Sequence, residues 1–114
     1  MYRPMPTTDD DTGAPVGGAE VTADANGVPI IKLTGEIDLS NADSVRAAIE
    51  PTVSSAPERI VFDLSGLDFL DSSGIALLLY VAAKTGTVQV QNPSDIVRRI
   101  IEVTGLSEIL HMDA

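Results

Sequence analysis

At 114 residues the chain is the length of one domain, enough to bury a modest core without metal or disulfide support. Seventeen Asp and Glu against seven Lys and Arg give a net charge of −10, which repels a phosphate backbone and argues against nucleic-acid binding. Without cysteine there is no disulfide framework, thiolate metal site or thiol nucleophile, and with no secretory h-region or membrane-length apolar run a cytoplasmic location without membrane insertion is expected.

Residues 1–18 combine Pro, Thr and Gly with the run Asp9-Asp10-Asp11 and almost no large apolar side chain, so burial cannot offset their ordering entropy. They are expected to form a disordered acidic tail, leaving 19–114 as the folded domain. Val21 and Ala23 alternate with polar residues, Asn26-Gly27 supplies a turn, and Val28 to Thr34 returns as a second strand of an antiparallel hairpin. Ser40 followed by Asp43 has the spacing of a capping box, and Val45, Ala48, Ile49 and Val53 then recur at helical intervals. Pro51 lacks the N–H that an inner helical position donates, so this helix should kink or end near Glu50.

The apolar run within Arg59 to Leu64 predicts a central parallel strand covered on both faces, followed by a loop from Ser65 to Leu70. Asp71-Ser72-Ser73-Gly74 then opens a second helix over Ile75 to Ala83, which Thr85-Gly86 ends. Placing Ile75, Leu78, Leu79, Ala82 and Ala83 inward leaves Leu77, Tyr80 and Lys84 outward, so Leu77 and Tyr80 become candidates for partner binding. Thr87 to Gln91 alternates as an edge strand should, and Asn92-Pro93-Ser94-Asp95 predicts a helix start with proline at its first position. The third helix would turn Ile96, Val97, Ile100, Ile101 and Val103 inward and close on Gly105 in a left-handed cap, with one short helical turn over Leu106 to Leu110. Strand–helix alternation of this kind calls for right-handed crossovers and a largely parallel sheet.

Open α/β sheets carry their functional groups beyond the carboxyl ends of the strands, which is where Asp71, Ser72, Ser73 and Gly74 fall. A helix start offers free N–H groups and partial positive charge, so a phosphate on a serine of its first turn would be tolerated. Asp and Ser before an apolar helix also serve as ordinary caps, and Gly74 as a close-packing residue, so the tetrapeptide by itself carries both readings. Hydrolase chemistry lacks a base and an elbow: the one histidine, His111, lies near the chain end, and neither G-x-S-x-G nor a phosphate-loop or dinucleotide fingerprint occurs. The scattered aspartates match no calcium loop, so neither metal nor cofactor is expected.

Three segments in order, LTGEIDLSNA (Leu33 to Ala42), VFDLSGLDFLDSSGIALL (Val61 to Leu78) and NPSDIVRRIIEVTGL (Asn92 to Leu106), resemble the STAS family and, within it, the anti-sigma factor antagonists. The resemblance spans about Glu20 to Leu110. It implies an α/β domain with a four-stranded, largely parallel mixed sheet, an N-terminal antiparallel hairpin and three to four packed helices. It further implies a non-enzymatic switch that binds an anti-sigma factor serine kinase when unmodified, is released when phosphorylated, and is reset by a phosphatase. The first serine of the D-S-S-G motif, Ser72, would be the phosphorylated residue, with Asp38, Asp71, Ser73 and Gly74 around it. Two departures stand out: the stretch from Ile75 to Gln91 is short for the family, and Pro51 lies inside the first helix. The alternative within the family is an adaptor subunit of a transport or stress-sensing assembly, with no serine modified.

Overall fold

The computed structural model describes residues 18–112, and the expected tail falls outside them except for Gly18, which opens the first strand. Strands β1 (Gly18–Ala23) and β2 (Pro29–Ile37) pair antiparallel across a turn in which the Asp24 carboxylate accepts from the N–H of Asn26 at 2.8 Å and of Val28 at 3.0 Å. Gly27 turns with φ 81°, a conformation open to glycine and costly for most other residues. Helix α1 (Ala42–Ser54) leads to β3 (Arg59–Leu70), then α2 (Ser72–Lys84), β4 (Thr87–Gln91) and α3 (Asp95–Val103). A 3₁₀ turn at Leu106–Glu108 and a two-residue strand β5 (His111–Met112) complete the described chain.

The sheet order is β1-β2-β3-β4-β5, parallel from β2 onward. It therefore has five strands where four were expected, because the chain after the 3₁₀ turn adds Gln89↔His111 and Val90↔Met112 alongside β4. That pairing also removes part of the edge character expected of β4. The Leu106 to Leu110 segment is the short helical turn expected, and Gly105 precedes it at φ 81° as a left-handed cap.

β3 has 12 residues, twice the length of the strand expected over Arg59 to Leu64. Ser65 to Leu70, expected as a loop, continues the strand to Phe69 and Leu70, which pair with Glu36 and Ile37. It does so through two irregularities: β3 advances from Asp63 to Gly66 while β2 advances from Lys32 to Thr34, and from Leu67 to Phe69 while β2 advances one residue. An extra residue on one strand breaks the alternation that sequence patterning relies on, which hides the strand.

The buried side chains of all three helices join one cluster with Ile31, Leu33, Ile60, Phe62, Val88 and Val90. Val61, pointing the other way, lies outside that cluster, and its face carries the exposed Glu20, Thr22, Lys32 and Arg59. The expectation that β3 is covered by helices on both faces is thus corrected: the helices gather on one face, and Val61 on the other is flanked in the sheet by Ile30 and Gln89. α1 runs through Pro51 to Ser54 without ending at Glu50, because Val53 in the turn beyond is completely buried, and the N–H that Pro51 lacks falls on an exposed stretch of the helix. At α3 the cap is Ser94, whose hydroxyl accepts from the Val97 N–H at 3.2 Å, so Pro93 stands before the helix and not at its first position. Val97 and Ile101 are buried as expected, whereas Ile96 (61% exposed) and Val103 (68%) face solvent, since one narrow stripe is all that a nine-residue helix on the margin of the core can bury.

Candidate functional site

The site forms where β2 and β3 end side by side. The Asp71 N–H donates to the Ile37 carbonyl at 3.1 Å, which ties the start of α2 to the end of β2. Gly74, one turn into α2, lies so close that a β-carbon there would stand 2.7 Å from Leu70 Cβ, 3.2 Å from the Ile37 carbonyl oxygen and 3.3 Å from Ile37 Cβ. Absence of a side chain therefore sets how deeply the first turn of α2 sits against the two strands.

Asp71 is the N-cap of α2, its Oδ1 accepting from the N–H of Ser73 at 2.8 Å and, at longer reach, of Gly74 at 3.4 Å, while its carbonyl accepts from Ile75. This corrects the electrostatic expectation in one respect. The helix N–H groups that would have welcomed a phosphate are largely taken by Asp71, so an anion on the neighbouring serine meets a carboxylate and finds little free N–H compensation. Ser72, the first helical residue, is exposed; Ser73 is half-buried and faces a groove between α1 and α2.

Asp38 follows Ile37 and so stands in the loop beside this turn. Its role is visible within that loop: its Oδ1 accepts from the Ser40 N–H and from the Ser40 hydroxyl, and its own N–H donates to Asn41 Oδ1 at 2.9 Å. Asn41 Nδ2 in turn donates to the Glu36 carbonyl at 2.7 Å. The expected Ser40–Asp43 capping box does not form: Ser40 is engaged by Asp38, and Asn41, the N-cap of α1, makes no side-chain cap bond, its side chain being held by the Asp38 N–H and the Glu36 carbonyl. The loop so braced projects Leu39, 83% exposed, at the mouth of the groove.

The groove brings together Leu39, Ala42, Arg46, Ser73, Leu77 and Tyr80. The two partner-binding candidates fare differently from expectation. Leu77 is 4% exposed and, with Gly74, Leu78 and Val81, belongs to the inner face of α2, because α1 packs alongside and covers it. Tyr80 is half-buried, its hydroxyl donating to both Glu50 carboxylate oxygens at 2.7 and 2.9 Å, with the Arg46 guanidinium 3.9 Å from its ring centroid. The outward apolar residue of α2 is Leu79, 41% exposed. Leu39 and Arg46 were not singled out from the sequence; an apolar residue between Asp38 and Ser40 in a polar loop was the available signal for the first. Among the described residues no cluster of His, Cys, Asp and Glu could hold a metal ion.

The family model of the STAS domain matches residues 21–114. The anti-sigma-F factor antagonist RsfB of Mycobacterium tuberculosis is 33% identical over 102 residues, covering 87% of this chain and 84% of that protein. The crystal structure of an anti-sigma factor antagonist from Mycobacterium paratuberculosis superposes with TM-score 0.78 at 31% identity, covering 89% of each chain. The unphosphorylated form of the anti-sigma factor antagonist SpoIIAA shares the fold, with TM-score 0.68 at 24% identity over 84% of this chain and 88% of that one.

Proposed function

Because the chain belongs to the STAS domain family, we propose that it is an anti-sigma factor antagonist whose docking surface is the Ser72 turn together with the α1–α2 groove, and that phosphorylation of Ser72 releases its partner. The antagonist role follows from relatives that carry that function at 33% and 31% identity across most of the chain. The residue assignment rests on one observation: Ser72 is an exposed hydroxyl on a turn held rigid from beneath, immediately beside a capping carboxylate.

A phosphate there adds about −1.5 to −2 charge and three acceptor oxygens. Asp71 already satisfies the Ser73 and Gly74 N–H groups, so the new charge is not absorbed by the helix start and projects toward whatever docks. A partner that fits the neutral surface then meets repulsion and must desolvate an anion. The exposed Leu39 and the half-buried Ala42 supply apolar area for docking, and Arg46 a cation at its rim. The partner of this reading is an anti-sigma factor that is itself a serine kinase, with a phosphatase to restore the hydroxyl. The domain takes part as a binding protein and substrate, and no helix among the described residues is long and apolar enough to cross a membrane.

The test uses the host anti-sigma factor with Mg-ATP. Intact mass should rise by one phosphate, peptide mapping should locate it on Ser72, Ser73→Ala should still accept it, and Ser72→Ala should not. Ser72→Ala should bind the anti-sigma factor constitutively, and Ser72→Glu should bind poorly; equal binding by the two variants would remove the switch.

A further inference from the structure

Leu39 is the most exposed of the large apolar side chains among the described residues, at 83%, yet the loop that carries it is closely tied. Asp38 Oδ1 accepts from the Ser40 N–H at 2.9 Å and from the Ser40 hydroxyl, which closes a turn around Leu39 through the side chain that precedes it. The Asp38 carbonyl accepts from the N–H of Asn41 at 3.1 Å and of Ala42 at 2.9 Å, and the Asp38 N–H donates to Asn41 Oδ1. Asn41 Nδ2 ties the turn to the Glu36 carbonyl near the end of β2. Polar groups on both sides of Leu39 are thus satisfied within the loop, and the side chain left largely uncovered is a leucine held out into water. The Asp38 carboxylate is engaged by Ser40 and hydrogen-bonds to no atom of Ser72.

We propose that Leu39 is the apolar anchor by which the domain docks on its anti-sigma factor, and that Asp38 is a positioning residue that acts through it. This assignment rests on the antagonist reading, which supplies the partner. Leu39 and Ser73 line the same groove, and Leu39 follows by two residues the Ile37 whose carbonyl holds the Asp71 N–H. A surface that covers the Ser72 turn and the groove therefore meets Leu39 as well. What Leu39 enters on the partner is an apolar pocket, because a leucine side chain has no hydrogen-bonding group to offer and gains only by leaving water. Bracing matters for the same reason: a side chain presented in one place before binding loses less conformational freedom on docking than one carried on a slack loop. Asp38 contributes through its accepting oxygen, and its charge is incidental to that role.

The measurement is the affinity of the full chain for the host anti-sigma factor by titration calorimetry, made on a Ser72→Ala parent so that the affinities do not depend on phosphorylation. Leu39→Ala should weaken binding about tenfold or more, with an unchanged thermal unfolding curve because the side chain is mostly in water. Asp38→Ala should weaken it about three- to tenfold, while Asp38→Asn, which keeps the accepting oxygen, should bind within about twofold of the parent. Once Leu39→Ala is in place, Asp38→Ala should have almost no further effect, because no anchor is left to position. Undiminished binding by Leu39→Ala overturns the proposal. So do equal losses from Asp38→Asn and Asp38→Ala, or an Asp38→Ala effect that persists without Leu39, since either gives Asp38 a direct part on Ser72 or on the partner. Absence of binding by the parent and the wild type alike would refute the antagonist reading itself and this assignment with it, a result distinct from a parent that binds and variants that bind equally well.

Discussion

Replacing Gly74 by alanine tests how the Ser72 turn is held. The added carbon would stand 2.7 Å from Leu70 Cβ and within 3.3 Å of the Ile37 carbonyl oxygen and Cβ, and none of these is the movable end of a long side chain. Leu70 is fixed by the β3–β2 pairing and Ile37 by the same ladder, so relief must come from lifting the first turn of α2. Overpacking of this kind costs about 1–3 kcal/mol, and contact with fixed strand atoms argues for the upper part of that range. Alanine recovers up to about 1 kcal/mol of helix propensity relative to glycine. The net expectation is a loss of about 1–2 kcal/mol, or roughly 4–8 °C in melting temperature per kcal/mol for a domain of this size. Urea unfolding gives the stability. Hydrogen exchange at the Asp71 amide gives the local effect, because its 3.1 Å bond to the Ile37 carbonyl should open first. An alanine variant as stable as the wild type, with Asp71 equally protected, would refute the claim that the missing side chain seats this helix.

Two further outcomes follow from the same geometry. Asp71→Ala should destabilise by about 1 kcal/mol in urea unfolding through loss of the N-cap, while Asp71→Asn, which keeps an accepting oxygen, should cost much less. Asp63 is held below its ordinary carboxylate range first by the Ser65 backbone N–H, which donates to Oδ1 at 3.0 Å, with help from the Ser65 hydroxyl, the Lys32 charge and the Asn92 side chain against the opposing effect of burial. A carboxylate depressed in the folded state contributes stability that is whole above its unfolded value of about 3.9 and disappears as pH falls through the folded one. Asp63→Asn should therefore flatten the acid limb of stability below about pH 4, by no more than a few tenths of a kcal/mol because the group is well solvated. An acid limb identical in the two proteins would contradict the assignment.

What the sequence disclosed, and what it concealed, divides along physical lines. β4 was legible to the residue because TVQVQ alternates without interruption, and the Ser72 turn because Asp71, two serines and a glycine precede an apolar run. β3 beyond Leu64 was hidden by its two extra residues, which shift side chains from one face to the other in mid-strand. The phase of α2 was hidden for the opposite reason: Ile75 to Ala83 is apolar on every side, so periodicity alone does not choose between Leu77 and Leu79. The choice is made by Gly74, which clamps the helix to β2 and β3 and so turns Leu77, Leu78 and Val81 inward as the residues three, four and seven positions on. On α3 the reverse error arises, because five apolar residues suggest a broad inner face where the short helix buries only Val97 and Ile101 fully.

The same clamp bears on how a signal at Ser72 would be transmitted. Asp71 is held to Ile37 by its N–H and to the Ser73 and Gly74 amides by its carboxylate, and Gly74 leaves no slack beneath the turn. A large displacement of α2 would have to break the cap and the Asp71–Ile37 bond together, at a cost of a few kcal/mol on ordinary hydrogen-bond values. With the phosphate on an exposed residue and fully in water, its repulsion from Asp71 is about 2 kcal/mol or less at ~4 Å and is screened further by salt, which is below that cost. On the proposed reading the modification therefore acts where it sits: it changes what the exposed turn and the neighbouring Leu39 loop offer to a partner, while β2, β3 and α2 keep their places.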